Sequence, residues 1–451
     1  MRPDARVVVC GAGIAGVSAA YFLSAAGLRN IVLVDDRPPL TLTSDRSTEC
    51  YRNWWPDREL LAFMDRSIDW MDQLATASAN TFRMNRRGYL YLTGDASRVP
   101  DFHAQAARIS EMGAGPLRVH EGSAPTYSPA RAEGFTQEPA GADLLLGREA
   151  IRRYFPYVTE EAVAALHVRR AGWLSAQQLG MHMLETTRRQ GAVFRSARIT
   201  AVETARNQVT GVVLDEAEHL SCDVFINAAG PFFGQVGALM GLELPVHAEI
   251  HLKLAFEDNL RVVGRDAPLL IWSDPQVLRW NENERRMFEA DPEFAWLLDR
   301  FPPGAHARPE GSADAATLLM LWDYQTRVVD PVFPTPLDEK YPEIALRGLA
   351  TMLPRLEAYI GRTTRPRLDG GYYLRTRENR PLIGATPIQG AYLIGALSGY
   401  GIMSACAAGE LLASAVTEMP APSYARAFAL ARYQDPTYLS RLETWSDTGE
   451  L

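Results

Sequence analysis

The feature that most limits how this chain can fold is a glycine triplet, Gly11-Ala-Gly13-Ile-Ala-Gly16. It follows Arg6-Val-Val-Val-Cys10, an apolar run fit for a buried parallel strand, and leads into the alanine-rich stretch Val17 to Ala26, which reads as a helix. Gly27 closes that helix, and Ile31-Val-Leu-Val34 is the next strand, ending at Asp35. Each glycine answers a steric need: Gly11 for the tight turn, Gly13 for approach of a pyrophosphate, Gly16 for packing helix on strand. The helix start offers free N–H groups and a positive dipole end to phosphate, and Asp35 is placed to accept hydrogen bonds from a ribose. The pattern predicts a dinucleotide site; the plainer alternative is a glycine-rich helix entry without a ligand.

Length and charge narrow the rest. The 451 residues allow two or three domains, each able to bury a core. A formal charge of −8 argues against a nucleic-acid partner. Cys10, Cys50, Cys222 and Cys406 are too scattered for a zinc site or a disulfide frame, so a reduced, cytoplasmic enzyme without a metal is expected. Two uncharged stretches, Val7 to Leu23 and Ala391 to Gly409, are broken by turn glycines and are read as core, giving no membrane span. Only two of the 46 cationic residues are lysines. Lys340 sits in a surface-type loop, whereas Lys253 lies inside an apolar strand, where a cation that can lose its proton gains meaning.

Further along, Arg58 to Leu74 has helical apolar spacing and Gly88-Tyr-Leu-Tyr-Leu92 reads as a strand opening a new layer. Residues 113–147 carry little signal. Gln177 to Gln190 reads as a helix, with strands near 192–205 and 208–214. Cys222 to Gly230 is a strand running into a small-residue turn, and 245–330 is β-rich. Ala391 to Ala415 is strand, turn and helix again. The fold expected is α/β: a discontinuous Rossmann-like nucleotide domain (1–87, 150–242 and 366–451) with an inserted β-rich α+β substrate domain (88–149 and 243–365).

Several segments, taken in order, resemble the flavin amine oxidoreductases of the D-amino acid oxidase superfamily. Besides the glycine turn and Gly88–Leu92, they are Asn227-Ala-Ala-Gly-Pro231, Thr376-Arg-Glu-Asn-Arg-Pro-Leu-Ile-Gly384 and Leu397-Ser-Gly-Tyr-Gly-Ile-Met403. The sequence is most similar to the branch holding sarcosine oxidase, dimethylglycine dehydrogenase and a complex I assembly flavoprotein. The resemblance implies FAD, held by Gly11, Gly13, Ile14, Ala15, Gly16, Asp35, Asp36, Ser47, Thr48, Ala229, Gly230, Gly399, Tyr400, Gly401, Ile402 and Met403. Where sarcosine oxidases carry a flavin-bonded cysteine this chain has Gly371, and Thr41 to Tyr51 lacks the histidine of the dehydrogenase branch, so FAD is expected to be non-covalent. Of that family's two carboxylate anchors, the arginine matches Arg52 and the lysine matches Met403, which leaves half the clamp. No lysine occurs on Thr317 to Tyr324, where sarcosine oxidases place the one that activates oxygen. Either Lys253 takes over that task or the electrons pass to another acceptor.

The strand His247-Ala-Glu249-Ile-His251-Leu-Lys253-Leu-Ala-Phe256 alternates, with Glu249, His251 and Lys253 on one face. That face lines the substrate pocket or faces water. His251 matches a histidine of the dehydrogenase branch, and His306 lies near a pocket tyrosine of sarcosine oxidases. Tyr324 and Tyr373 are placed at the pocket wall, with ordinary packing as the alternative. Trp54 and Trp55 beside Arg52 suggest an aromatic pocket suited to an amine. The catalytic set expected is Lys253, His251, Tyr324 and Tyr373; the substrate set is Arg52, His306 and Met403. The reaction the resemblance implies is oxidation of a C–N bond in a secondary or tertiary amine, or an N-substituted amino acid. Hydride passes to flavin N5, the imine hydrolyses, and oxygen or another acceptor takes the electrons. Oxidation of a 2-hydroxy acid and a non-catalytic assembly role are the alternatives.

Overall fold

The computed structural model describes residues 4–122, 126–136, 138–311, 314–362 and 366–445. Its nucleotide half is a six-stranded sheet in the order Leu382–Ala385, Ala391–Gly395, Val224–Asn227, Arg6–Cys10, Asn30–Asp35, Val193–Ser196. All neighbours run parallel except the first pair. Alternation on the central strand sets the two layers. Val7 and Val9 pack into a cluster with the helices Ile14–Ala25, Arg58–Ala77, Ala176–Arg189 and Gly401–Thr417. Val8 and Cys10 pack toward the three-stranded sheet Ile199–Ala205, Gln208–Leu214, His219–Ser221.

Small residues let the helices close up. Ser18 Oγ donates to the Ala405 carbonyl at 2.6 Å, and a Cβ on Gly409 would collide with Ser18. The segment Ser398–Thr417 is long and apolar enough to cross a membrane by composition, but 72% of it is packed inside the protein. The helix Arg58–Ala77 is capped by Asp57, whose side chain accepts from Leu60 N at 2.8 Å.

The second half is a ten-stranded sheet. Its order is Val328–Val329, His247–Glu257, Thr317–Leu321, Ala305–Pro309, Leu269–Trp272, Tyr89–Thr93, Ala164–Val168, Ala142–Leu146, Leu117–His120, and Arg367–Arg375 also pairs with His247–Glu257. Two boundaries expected from sequence therefore cut through it. Ala164–Val168 and Arg367–Arg375 fall in stretches assigned to the nucleotide domain, yet both are bonded into this sheet. The reason is non-local: each strand is claimed by a distant partner, Tyr89–Thr93 in one case and His247–Glu257 in the other. The low-signal stretch 113–147 supplies the parallel edge pair Leu117–His120 and Ala142–Leu146. The outermost ends of the expected nucleotide domain, residues 1–3 and 446–451, lie outside the described residues.

Candidate active site

A cavity of about 620 Å³ runs between the two sheets, from the glycine turn to the polar face of the His247–Glu257 strand. At its first end Gly11 has φ +108°, and a Cβ there would strike the Ala228 carbonyl; a Cβ on Gly16 would strike the carbonyl of Gly11. No other residue type fits either position. Gly16 thus sits behind the wall, while Gly11, Gly13, Ile14 and Ala15 line it. The Ile14 N–H donates to Ser44 Oγ at 2.9 Å, which places a hydroxyl at the positive end of the first helix. Asp35 accepts from Ala12 N at 2.8 Å and Arg37 N at 3.0 Å, so its carboxylate is fixed in orientation with acceptor capacity to spare. Asp36 on the rim pairs with Arg37 and Arg198. The Arg37 guanidinium lies over the rings of Phe232 and Phe333, and the Tyr372 hydroxyl donates to the Val332 carbonyl at 2.7 Å. These contacts strap residues 331–333 across the cavity.

Along the middle, Ser47, Ala229, Gly230, Gly399, Gly401 and Ile402 line the wall. Thr48, Tyr400 and Met403 stand just behind it. The Tyr400 hydroxyl donates to the Asn379 carbonyl, Met403 is buried in the helix core, and the Thr48 carbonyl accepts from Arg308. Two cations hold this turn: Lys253, half-buried on the cavity wall, donates from Nζ to the Ser47 carbonyl at 2.9 Å, and buried Arg308 donates to that of Thr48 at 2.8 and 3.1 Å. Arg308 is 1% exposed, pairs with Glu310 and lies over Trp173. Burial pushes the Lys253 ammonium below its usual value.

The far wall is the sheet face. His251 stacks on Tyr373 with centroids 3.7 Å apart at 17°. Its Nδ1 lies 2.7 Å from Asp323 Oδ1 and its Nε2 3.4 Å from Glu249 Oε2, while Glu249 also pairs with Arg375 at 3.0 Å. Burial pulls the imidazole down, but the two carboxylates outweigh it and hold His251 above its usual value. Burial likewise pushes the Asp323 carboxyl up, and His251 beside it brings the result below the carboxylate range.

Lys253, His251 and Tyr373 are therefore together on the cavity wall. The four other residues expected in the catalytic and substrate sets are not: Met403 lies behind the wall, as do Tyr324, His306 and Arg52. Tyr324, beyond the end of the strand Thr317–Leu321, packs among Trp296, Phe301, Trp322 and Tyr341. His306 is buried with Nδ1 at 2.8 Å from the Gly304 carbonyl, and burial lowers its pKa. Arg52 is 6% exposed; it donates to the Tyr91 hydroxyl at 2.6 Å and lies over the Trp55 ring at 4.5 Å, which turns its charge away from the cavity. Asp323, Arg375, Ser44 and Arg308 were not singled out as site residues from sequence, while Glu249 was placed on the polar strand face without a role of its own. Asp323 lies two residues past the end of the strand Thr317–Leu321, so no strand pattern in the sequence marks it.

The cavity fits FAD. Its volume is that of a cofactor site, and the glycine turn and Ser44 hydroxyl form a phosphate cradle. Ser398 Oγ, beside Gly399 on the cavity wall, is buried with no well-aligned protein partner, as a group that meets a bound cofactor would be. A parallel nucleotide sheet and a large antiparallel-rich sheet closing over one cavity define the frame of a flavin-dependent oxidoreductase. The family model described as "FAD dependent oxidoreductase" (DAO) matches residues 6–415, and the chain belongs to that family, with FAD as its cofactor.

The sequence is 22% identical to human mitochondrial dimethylglycine dehydrogenase over 314 residues, covering 67% of this chain and 33% of that protein. The chain thus spans about a third of the length of the curated relatives it matches. Among solved structures, L-proline dehydrogenase from P. horikoshii superposes with a TM-score of 0.73 at 17% identity, over 96% of this chain and 99% of that one. Iminodiacetate oxidase from Chelativorans sp. BNC1 gives a TM-score of 0.69 at 18% identity, over 94% and 98%. These likenesses show the fold.

Proposed function

We propose that this protein oxidises a C–N bond of a secondary or tertiary amine, releasing an imine that hydrolyses in water. The observation that carries the reading is the make-up of the wall facing the glycine turn. Tyr373 and His251 present stacked rings there, backed by the carboxylates of Asp323 and Glu249. Aromatic faces and carboxylates attract an ammonium by roughly 0.5–2 kcal/mol per contact. The names of the relatives (dimethylglycine dehydrogenase, iminodiacetate oxidase, L-proline dehydrogenase) support the amine class.

FAD, when bound, supplies the acceptor for the two electrons. The chain supplies orientation and proton handling. An amine reacts through its unprotonated form, so the arriving ammonium must lose a proton at the wall. His251, with one ring nitrogen facing Asp323 and the other Glu249, is held toward its protonated form and sets a positive charge beside the wall, which favours the unprotonated amine. Tyr373 fixes the imidazole plane by stacking, and Val332 and Phe333, held by Tyr372 and Arg37, line the cavity. Product analysis tests the reading. Turnover of an N-methyl amine should release formaldehyde and the demethylated amine in equal amounts, matched by reduced acceptor. Acceptor reduction without formaldehyde would contradict N-demethylation by this route.

A further inference from the structure

The cavity wall is fastened unevenly. Most of it is strand or helix, but residues 331–337 join the strand Val328–Val329 to the helix Tyr341–Met352 as irregular chain. Pro331, Pro334 and Pro336 have no N–H to give to a ladder. Among the described residues, the Tyr372 hydroxyl is the only hydrogen-bonding partner of this stretch. It accepts from Val332 N at 3.0 Å and donates to the Val332 carbonyl at 2.7 Å. One phenol thus satisfies both backbone groups of Val332, as a neighbouring strand otherwise would.

Pro331, Val332 and Phe333 line the cavity, and Val332 and Phe333 also line a shallow crevice beside it with Thr335 and Gly370. These two residues are 53% and 54% exposed, so the wall is a single thickness of chain at this point. The stretch also spans the two halves of the molecule. Tyr372 anchors it to the large sheet through the strand Arg367–Arg375, and its other contact is Arg37, just past Asp35 in the nucleotide half. The Arg37 guanidinium lies 5.0 Å from the Phe333 ring centroid and 5.6 Å from that of Phe232. A dinucleotide held between the halves leaves only when part of the wall moves. Moving this stretch breaks the two Tyr372 hydrogen bonds and the Arg37 contact, whereas moving a strand breaks a ladder.

We propose that residues 331–333 are the gate through which FAD enters and leaves, with Tyr372 as its latch and the Arg37–Phe333 contact as a second fastening. Tyr372 is a positioning residue here, and the assignment holds whatever substrate the site oxidises. Its hydroxyl is spent on Val332, so Tyr372→Phe removes the latch and leaves the ring in the wall. A fastening between two parts of the protein slows entry and exit alike, whereas a contact made to the bound cofactor slows exit only. The two roles therefore carry different kinetic signatures.

Exchange of bound FAD for excess labelled FAD on the holoenzyme reads exit, and stopped-flow quenching of flavin fluorescence by protein stripped of FAD reads entry. Tyr372→Phe should quicken both about tenfold, the size of one net hydrogen bond, and leave the Kd for FAD nearly unchanged. Phe333→Ala alters a half-exposed position and should act in the same direction; it decides the matter if Tyr372→Phe does not fold. Unchanged exchange in the variants overturns the gate. A raised Kd, whether from faster exit with unchanged entry or from a general loosening of the fold, overturns it as well.

Discussion

The His251 imidazole lies flat on the Tyr373 ring, 3.7 Å between centroids and 17° between planes. The two residues stand on adjacent antiparallel strands, with His251 opposite Gly371 and Tyr373 opposite Glu249. The diagonal across that register is what brings the rings together, and it leaves both edges of the imidazole to carboxylates.

The first prediction concerns pH. His251 is held above its usual 6.5, so its contribution to stability is fully present below 6.5 and lost as pH rises through the raised folded-state value. Asp323 is held below 3.8, so its contribution is present above 3.8 and lost as pH falls through the lowered value. The pair therefore supports the fold most between pH 3.8 and 6.5. The Tm gap between wild type and His251→Asn should be largest in that window and shrink above it. A gap that widens toward alkaline pH would contradict the ion pair.

Arg308 secures the Ser47–Thr48 turn from a buried position. Arg308→Met leaves Glu49 and Glu310 without their cation, a change that costs about 3–5 kcal/mol for a buried pair. Chemical denaturation of the holoenzyme should show that loss together with faster release of FAD. An unchanged midpoint would show that the turn is held by other contacts.

Lys253 has one of its donors on the Ser47 carbonyl. Lys253→Met should weaken FAD retention severalfold, corresponding to about 1 kcal/mol for one hydrogen bond. Stopped-flow reoxidation of the reduced flavin in air, run on the same variant, separates this role from oxygen activation. Slower reoxidation with normal cofactor affinity would assign Lys253 to oxygen instead.

Arg52→Ala should behave as a packing defect. It removes the partner of the Tyr91 hydroxyl and the cation beneath Trp55, a loss of roughly 2–3 kcal/mol. The KM values for carboxylate-bearing and carboxylate-free amines should move together. A selective rise for the carboxylate-bearing ones would return Arg52 to the substrate.

Much of the nucleotide half was legible because its demands are local and steric. Gly11 and Gly16 have no tolerated replacement, and the acid at Asp35 closes a unit contained within consecutive residues. The substrate half was less so, because its roles come from register between distant strands. Lys253 faces Leu321, and Leu321 faces His306, through pairings that no short window of sequence contains. Tyr324 and Asp323 are neighbours in sequence, yet one packs in an aromatic cluster and the other meets His251 of a distant strand. Arg52 is a residue whose type suggested an anchor while Tyr91, far along the chain, claims its charge.

The most direct test of amine oxidation is an anaerobic titration of the FAD-loaded protein followed by its visible spectrum. Secondary or tertiary amines should bleach the flavin absorbance, and 2-hydroxy acids should leave it unchanged. Bleaching by a 2-hydroxy acid with no response to any amine would contradict the account.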